Sequence, residues 1–241
     1  MTAPGCRFPG TCPVPDPGAT DLRRIRTVTL PAGTAMSTSA SRRHWPALFN
    51  DSRRGDTRFA PITRDGAVVP TLYMASTHTT ALLETAFHDV IPGAALVSSP
   101  IDLRGRCLVR LATPVDLRFV DLREEALAII GLGREQLSTT SAAHYPCTRE
   151  WAAALLSRAV GGRATHGLVW DSRVAEAASS LVPIFADLLR SPASDAYVVF
   201  GERIPQDSAA WQATIDHDDL TTGQGRLVVG DIANLLGATL S

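Results

Sequence analysis

Lysine is absent from this chain: among its 241 residues all 23 basic side chains are arginine. That removes Schiff-base chemistry, a phosphate-loop lysine and lysine acetylation at once. No apolar run approaches the roughly 18 residues a membrane helix requires, so no membrane span is expected. Residues 1–20 are rich in proline and glycine and lack the apolar stretch of about 7–15 residues that a secretory signal needs. They read as a flexible leader, and the protein as cytoplasmic. Cysteine is scarce, and Cys6, Cys12, Cys107 and Cys147 form no CxxC pair, which argues against a zinc ribbon or a thioredoxin motif. Cys6 and Cys12 suit a bridge only in an oxidising compartment, and Cys107 reads as a buried thiol in a strand. No metal is expected.

Charge of one sign is also missing. A net charge of −1 with 6% aromatic residues lacks the basic, aromatic-lined stripe of a nucleic-acid binder. Arg23, Arg24 and Arg26, the pair Arg42 and Arg43, and the pair Arg53 and Arg54 read as solvated faces. The 45% hydrophobic content is ordinary for a globular protein, and this length suits one domain with extensions.

What is present concentrates between Gly55 and Asp89. Thr71 to Ala75 is a β-prone run after Pro70 that carries Tyr73. A helix begins among Ser76, Thr77 and Thr79, all competent N-caps. Leu82, Leu83, Ala86 and Phe87 then form an apolar helical stripe facing the core. Glu84 and His88, four residues apart, share the margin of that stripe. Taken singly, these residues have ordinary readings: Arg58 as a surface arginine over Phe59, Tyr73 as core, and Glu84/His88 as a solvated pair worth about 0.2–0.5 kcal/mol.

Their combination is more specific. Phe49-Asn50, Arg58-Phe59-Ala60-Pro61, Leu72-Tyr73-Met74-Ala75, Thr80-Ala81-Leu82-Leu83-Glu84 and His88-Asp89 occur in order, followed by Gly167 to Arg173 (GLVWDSR) and Tyr197 to Arg203 (YVVFGER). From about Leu30 to about Arg203 this pattern resembles the RES family of bacterial toxins, named for a recurring Arg, Glu and Ser. The resemblance implies an α+β single domain, a split mixed β-sheet flanked by helices with an ADP-ribosyltransferase-like fold, over residues 21–241 with a C-terminal extension from about 204. It implies NAD as substrate, consumed by a glycohydrolase or phosphorylase, or used by an ADP-ribosyltransferase on a protein target. It also implies a helix-turn-helix antitoxin as partner, with no direct contact to nucleic acid.

By matching motif, Arg58 would hold a phosphate or ribose and Tyr73 would pack on the nicotinamide side. Glu84 would support the reacting ribose and Ser172 would hydrogen-bond the substrate. Those residue types suit the chemistry. Breaking the nicotinamide–ribose bond builds positive charge that a fixed carboxylate stabilises, and a guanidinium grips a pyrophosphate bidentately. One departure stands out: Leu30-Pro31-Ala32-Gly33-Thr34 is followed by Ala35-Met36-Ser37-Thr38, without the arginine many relatives carry there, unless Arg42 or Arg43 replaces it. Losing one such arginine weakens phosphate binding by about 1.5–3 kcal/mol. A catalytically degenerate binding module is therefore the contrasting expectation.

Elsewhere the chain alternates strands and helices. Arg106 to Leu111 reads as a strand and Glu124 to Ile130 as a helix stopped by Gly131. Thr148 is expected to cap a helix running to Val160 and ended by Gly161-Gly162. His166 to Trp170 reads as a strand that would leave Ser172 at an exposed end, and Tyr197 to Phe200 as another. Asp216, His217, Asp218 and Asp219 read as an exposed loop, and Leu227 to Leu240 as a packed terminal extension. A Ser172/His88 hydrolytic triad is excluded, because no Gly-x-Ser-x-Gly elbow surrounds Ser172.

Overall fold

Asp195 to Phe200 reads DAYVVF, β-branched or aromatic from Tyr197 onward and buried at every position, which is what a strand covered on both faces requires. It lies inside an eight-stranded sheet of the computed structural model, which describes residues 6–87, 103–172 and 195–237. In chain order the strands are β1 (Thr27–Leu30), β2 (Ala35–Ser41), the small β3 (Thr63–Arg64) and β4 (Ala67–Val68), and β5 (Thr71–Ala75). They continue with β6 (Arg106–Ala112), β7 (Leu117–Asp121), β8 (Gly167–Asp171), β9 (Asp195–Phe200) and β10 (Thr214–His217). The large sheet runs β1-β7-β8-β9-β5-β2-β6-β10, while β3 and β4 pair separately. Only β7 and β8 are parallel; the other neighbours in the large sheet are antiparallel.

The sheet is split. Six strand neighbours share runs of paired residues, but β2 and β5 meet at one pair, Ser37 opposite Ala75. Thr38 reinforces that narrow junction by donating its hydroxyl to the Tyr73 carbonyl at 2.7 Å. The domain is thus α+β with a mixed sheet, as expected.

Because opposite residues share a face, Ser37, Tyr73, Ala75, Leu168, Trp170, Ala196 and Val198 point to one side of the sheet. Four helices are seen among the described residues: α1 (His78–Thr85), α2 (Glu124–Ile129), α3 (Tyr145–Ser157) and α4 (Gly223–Leu236). Trp151, Leu155 and Leu156 of α3 pack with Leu168, Trp170 and Val198. Leu82 and Leu83 of α1 join Val229, Ile232 and Ala233 of α4 over Leu108 of β6. The other face is filled by Leu72, Met74, Phe119, Val169 and Tyr197 against Phe49 and Trp211. Helices α3 and α1 therefore stand on the same face, either side of the split.

Helix α1 starts as its sequence dictates: Thr77 is the N-cap and its hydroxyl accepts from the Thr80 N–H at 3.1 Å. Helix α3 departs from expectation. It begins at Tyr145, with Pro146 in the first turn, so Thr148 lies inside it and is fully buried, donating to the Arg58 and Tyr145 carbonyls. It also ends at Ser157; Gly161 and Gly162, at φ +57° and +74°, instead form the tight turn that lets Val160 bridge Arg163. Gly167 opens β8 because a Cβ there would collide with the Val198 carbonyl oxygen.

Segments near both limits of the described residues pack on the domain. In the segment read as a leader, Val14 is buried and the Pro15 carbonyl accepts the Trp151 indole N–H at 2.7 Å. Toward the other end, β10 is an edge strand on β6 where a loop was expected. Asp216 points back from it to accept from Arg110 at 2.9 Å and to meet His78 Nε2 at 2.8 Å. Burial works against Asp216, but His78 and Arg110 bring its carboxyl below the usual range. Among the described residues no helix is long and apolar enough to cross a membrane.

Candidate functional site

The residues gathered between α1 and α3 centre on Trp170. Its ring meets Phe59 edge-on at 5.1 Å and Tyr73 at 6.1 Å. Its indole N–H donates to Glu84 Oε2 at 3.3 Å, joining β8 to the last turn of α1. Glu84 is half-buried, a carboxylate held in place but open to a partner on its free side.

Tyr73 organises the opposite wall. Its hydroxyl accepts the Phe59 backbone N–H at 3.2 Å and lies 2.8 Å from Thr57 Oγ1, which fixes the loop that carries Arg58. Burial, offset in part by these two hydrogen bonds, pushes the phenol up to about 12. Tyr73 therefore works as a neutral hydrogen-bonding group. Arg58 extends from this loop over the Tyr145 ring, 5.4 Å from its centroid, and donates from Nη2 to the Thr140 carbonyl at 3.3 Å. Its Nε is buried and has no hydrogen-bond partner among the described residues. A buried, unsatisfied guanidinium N–H is costly unless something anionic or carbonyl-like completes it.

Ser172 follows the end of β8, two residues after Trp170 and about 7 Å further along the chain. It is fully buried, and not exposed at a strand end as expected. His88 and Asp89 lie outside the described residues. Where an arginine was expected, Met36, Ser37 and Thr38 are all buried, Met36 in the core and Thr38 at the split. Arg42 and Arg43 lie beyond the end of β2, exposed, with Arg42 Nη1 3.7 Å from Asp218. A surface cleft of about 460 Å³ between Gly18–Arg23 and the end of α3 is lined by none of these residues.

A family model for the RES domain matches residues 23–215. The chain belongs to the RES domain family. Among solved structures, the crystal structure of the M. tuberculosis MbcT–MbcA toxin–antitoxin complex is similar to this RES chain, with 17% identity and a TM-score of 0.51. That similarity covers 88% of this chain and 96% of the other, so the fold is shared over nearly the whole domain. No match was found among curated proteins. The RES match ends within β10, and α4 follows it.

Sequence reasoning missed several residues that shape this RES site. Trp170 reads as core in an apolar run, and Tyr145 and Thr140 lie far from Arg58 in sequence. A second polar cluster also escaped notice, on the opposite face of the sheet. Arg123 pairs with Asp121 at 2.8 Å and Asp195 at 3.2 Å, and the Tyr197 hydroxyl donates to Asp195 at 3.1 Å. Burial raises the Asp195 carboxyl despite Arg123, while the hydrogen bonds that Arg123 donates to Asp121 hold its guanidinium well above its ordinary value. It lies under the β7, β8 and β9 ends that lead to Ser172, with the Ser76 hydroxyl and N–H bound to the Asp195 carbonyl. Its signal in sequence was only a charged residue at each strand end.

Proposed function

We propose that this RES domain is a toxin that consumes NAD by cleaving its nicotinamide–ribose bond. The observation that carries this reading is the pairing, across the Trp170 platform, of a fixed carboxylate on α1 with an arginine that has a buried, uncommitted N–H on the facing wall. Arg58 grips the pyrophosphate with the part of its fork that Thr140 leaves open. Tyr73 and Trp170 offer aromatic edges and faces to the nicotinamide and ribose. As the bond to nicotinamide breaks, electrons leave with the base and positive charge grows on the ribose ring. Glu84, oriented by the Trp170 N–H, stabilises that charge in a site partly shielded from water. Water, phosphate or a protein nucleophile then bonds to the anomeric carbon and gives up its proton. Ser172 anchors the substrate from the β8 end.

The chain works in the cytoplasm and is held in check by a helix-turn-helix antitoxin that covers the cleft; a neighbour of the same fold comes from a toxin–antitoxin complex. One observation favours a second reading, a degenerate binding module: β2 offers buried Ser37 and Thr38 where a phosphate-binding arginine is expected. The two readings separate on one experiment. Purified protein is incubated with NAD, with and without phosphate, and products are resolved by mass spectrometry. Free nicotinamide with ADP-ribose, or with a phosphorylated ADP-ribose, supports the enzyme and names the acceptor. Intact NAD under both conditions, with folded protein, supports the binding module.

A further inference from the structure

Four side chains from two distant parts of the sequence converge where the N-terminal segment crosses the start of α3. Cys6 Sγ lies 3.6 Å from His144 Nδ1, and Cys12 Sγ lies 3.6 Å from Cys147 Sγ. The ligand atoms of Cys6, Cys12 and His144 all fall within 4.8 Å of one another. His144 and Cys147 are buried, Cys6 and Cys12 half-buried. His144 is the N-cap residue of α3 and Cys147 lies three residues on, a spacing that puts both on one side of the helix start.

Neutral thiols and an imidazole gain little from such contacts, since S–H is a weak donor. A disulfide is not what the spacing describes, because an S–S bond is about 2.05 Å long. A tetrahedral zinc ion, with Zn–S of about 2.3 Å and Zn–N of about 2.0 Å, spaces its ligand atoms about 3.5–3.8 Å apart. The two 3.6 Å separations, Cys6 to His144 and Cys12 to Cys147, fit that spacing, and a small side-chain shift brings Cys147, which lies outside the 4.8 Å group, into the set. We propose that Cys6, Cys12, His144 and Cys147 bind one zinc ion in a structural Cys3His site that pins the N-terminal segment to the start of α3. The expectation of no metal rested on the lack of a CxxC pair, and this ligand set is assembled by folding rather than by local spacing.

The site closes with its ligands alone. Binding releases the protons of three thiols to solvent as three thiolates and a neutral imidazole coordinate the ion, with no oxidation or reduction. Four protein ligands leave no open position, which marks a structural ion. Its mechanical consequence reaches the candidate site. His144 precedes Tyr145, whose ring underlies Arg58, and Arg7 N–H donates to the Ala143 carbonyl at 3.5 Å. Zinc therefore steadies the Arg58 shelf and the packing of Val14 and Pro15 on Trp151.

The test is metal analysis of the full chain purified under reductant, with cobalt as a spectroscopic probe and without reference to NAD. About one zinc per chain is expected, and cobalt should give the thiolate charge-transfer and tetrahedral absorption bands of a Cys-rich site. Cys6→Ser, Cys12→Ser and His144→Gln should each lower bound zinc at least about tenfold, and cleavage at Arg23 and Arg24 by trypsin should quicken. Cys107→Ser, buried in β6 away from the cluster, should keep its zinc. Folded wild-type protein that takes up neither zinc nor cobalt overturns the proposal. So does undiminished zinc in Cys12→Ser, or a Cys12–Cys147 disulfide in protein kept under reductant. Cys6 is the variant that keeps the test open if His144→Gln fails to fold, because Cys6 lies at the edge of the domain.

Discussion

Trp170 donates its indole N–H to the Glu84 carboxylate across 3.3 Å, so a strand that follows α3 in sequence sets the position of a carboxylate on α1. This contact crosses the split in the sheet and ties together the two groups of helices on that face.

Replacing Trp170 with Phe keeps an aromatic ring against Phe59 and removes the donor. Stability should fall by about 1–3 kcal/mol, through the lost charged hydrogen bond and the smaller ring. Urea unfolding measures this directly. NAD turnover should fall further than stability accounts for, because Glu84 loses its orienting partner while the chain remains folded.

Tyr73→Phe tests the facing wall. Removing the hydroxyl leaves the Phe59 N–H without its acceptor, at a cost of about 1–2 kcal/mol. Wild-type protein should also lose stability as pH rises above 10. The unfolded phenol ionises there, while the folded one, pushed up to about 12, keeps its proton. Tyr73→Phe should lack that part of the alkaline decline, as followed by thermal unfolding at successive pH values.

The Asp121–Arg123–Asp195 cluster predicts a different pH response. Arg123→Met leaves two largely buried carboxylates without their cation and should cost about 3–5 kcal/mol at neutral pH. Burial already raises Asp195, so its folded form takes up a proton before the unfolded form does. Mild acid should therefore recover part of the loss in this variant. A loss unchanged between neutral and mildly acid pH would contradict the assignment.

Thr77→Ala removes the N-cap of α1 and should cost about 1 kcal/mol. Because Glu84 lies on that helix, hydrogen exchange should quicken at the amides of Thr80 to Glu84.

Local chemistry made much of this fold legible. Thr77 was a plain cap signal, the apolar stripe from Leu82 to Phe87 a plain core face, and the runs carrying Tyr73, Trp170 and Tyr197 plain strands. What stayed hidden depends on distance along the chain. Trp170 reads as core because a tryptophan in an apolar strand carries no sign that its N–H will meet Glu84, 86 positions earlier. The α3 start was obscured because Thr148 is a good cap by type, whereas Pro146 in the first turn was the better signal. Edge strand β10 was masked by its acids, since Asp216 is satisfied only by Arg110 and His78 from other elements. Cys12 and Cys147, 135 positions apart, meet only after folding.

NAD consumption by the wild type and by Glu84→Gln, each shown by circular dichroism and thermal unfolding to be folded, is the most direct test. The substitution keeps the side chain's size and an acceptor for the Trp170 N–H while removing the negative charge. The account predicts nicotinamide release by the wild type and a loss of at least about a hundredfold in Glu84→Gln, the scale on which electrostatic stabilisation of a developing charge is usually felt. Equal turnover by the two proteins would contradict it.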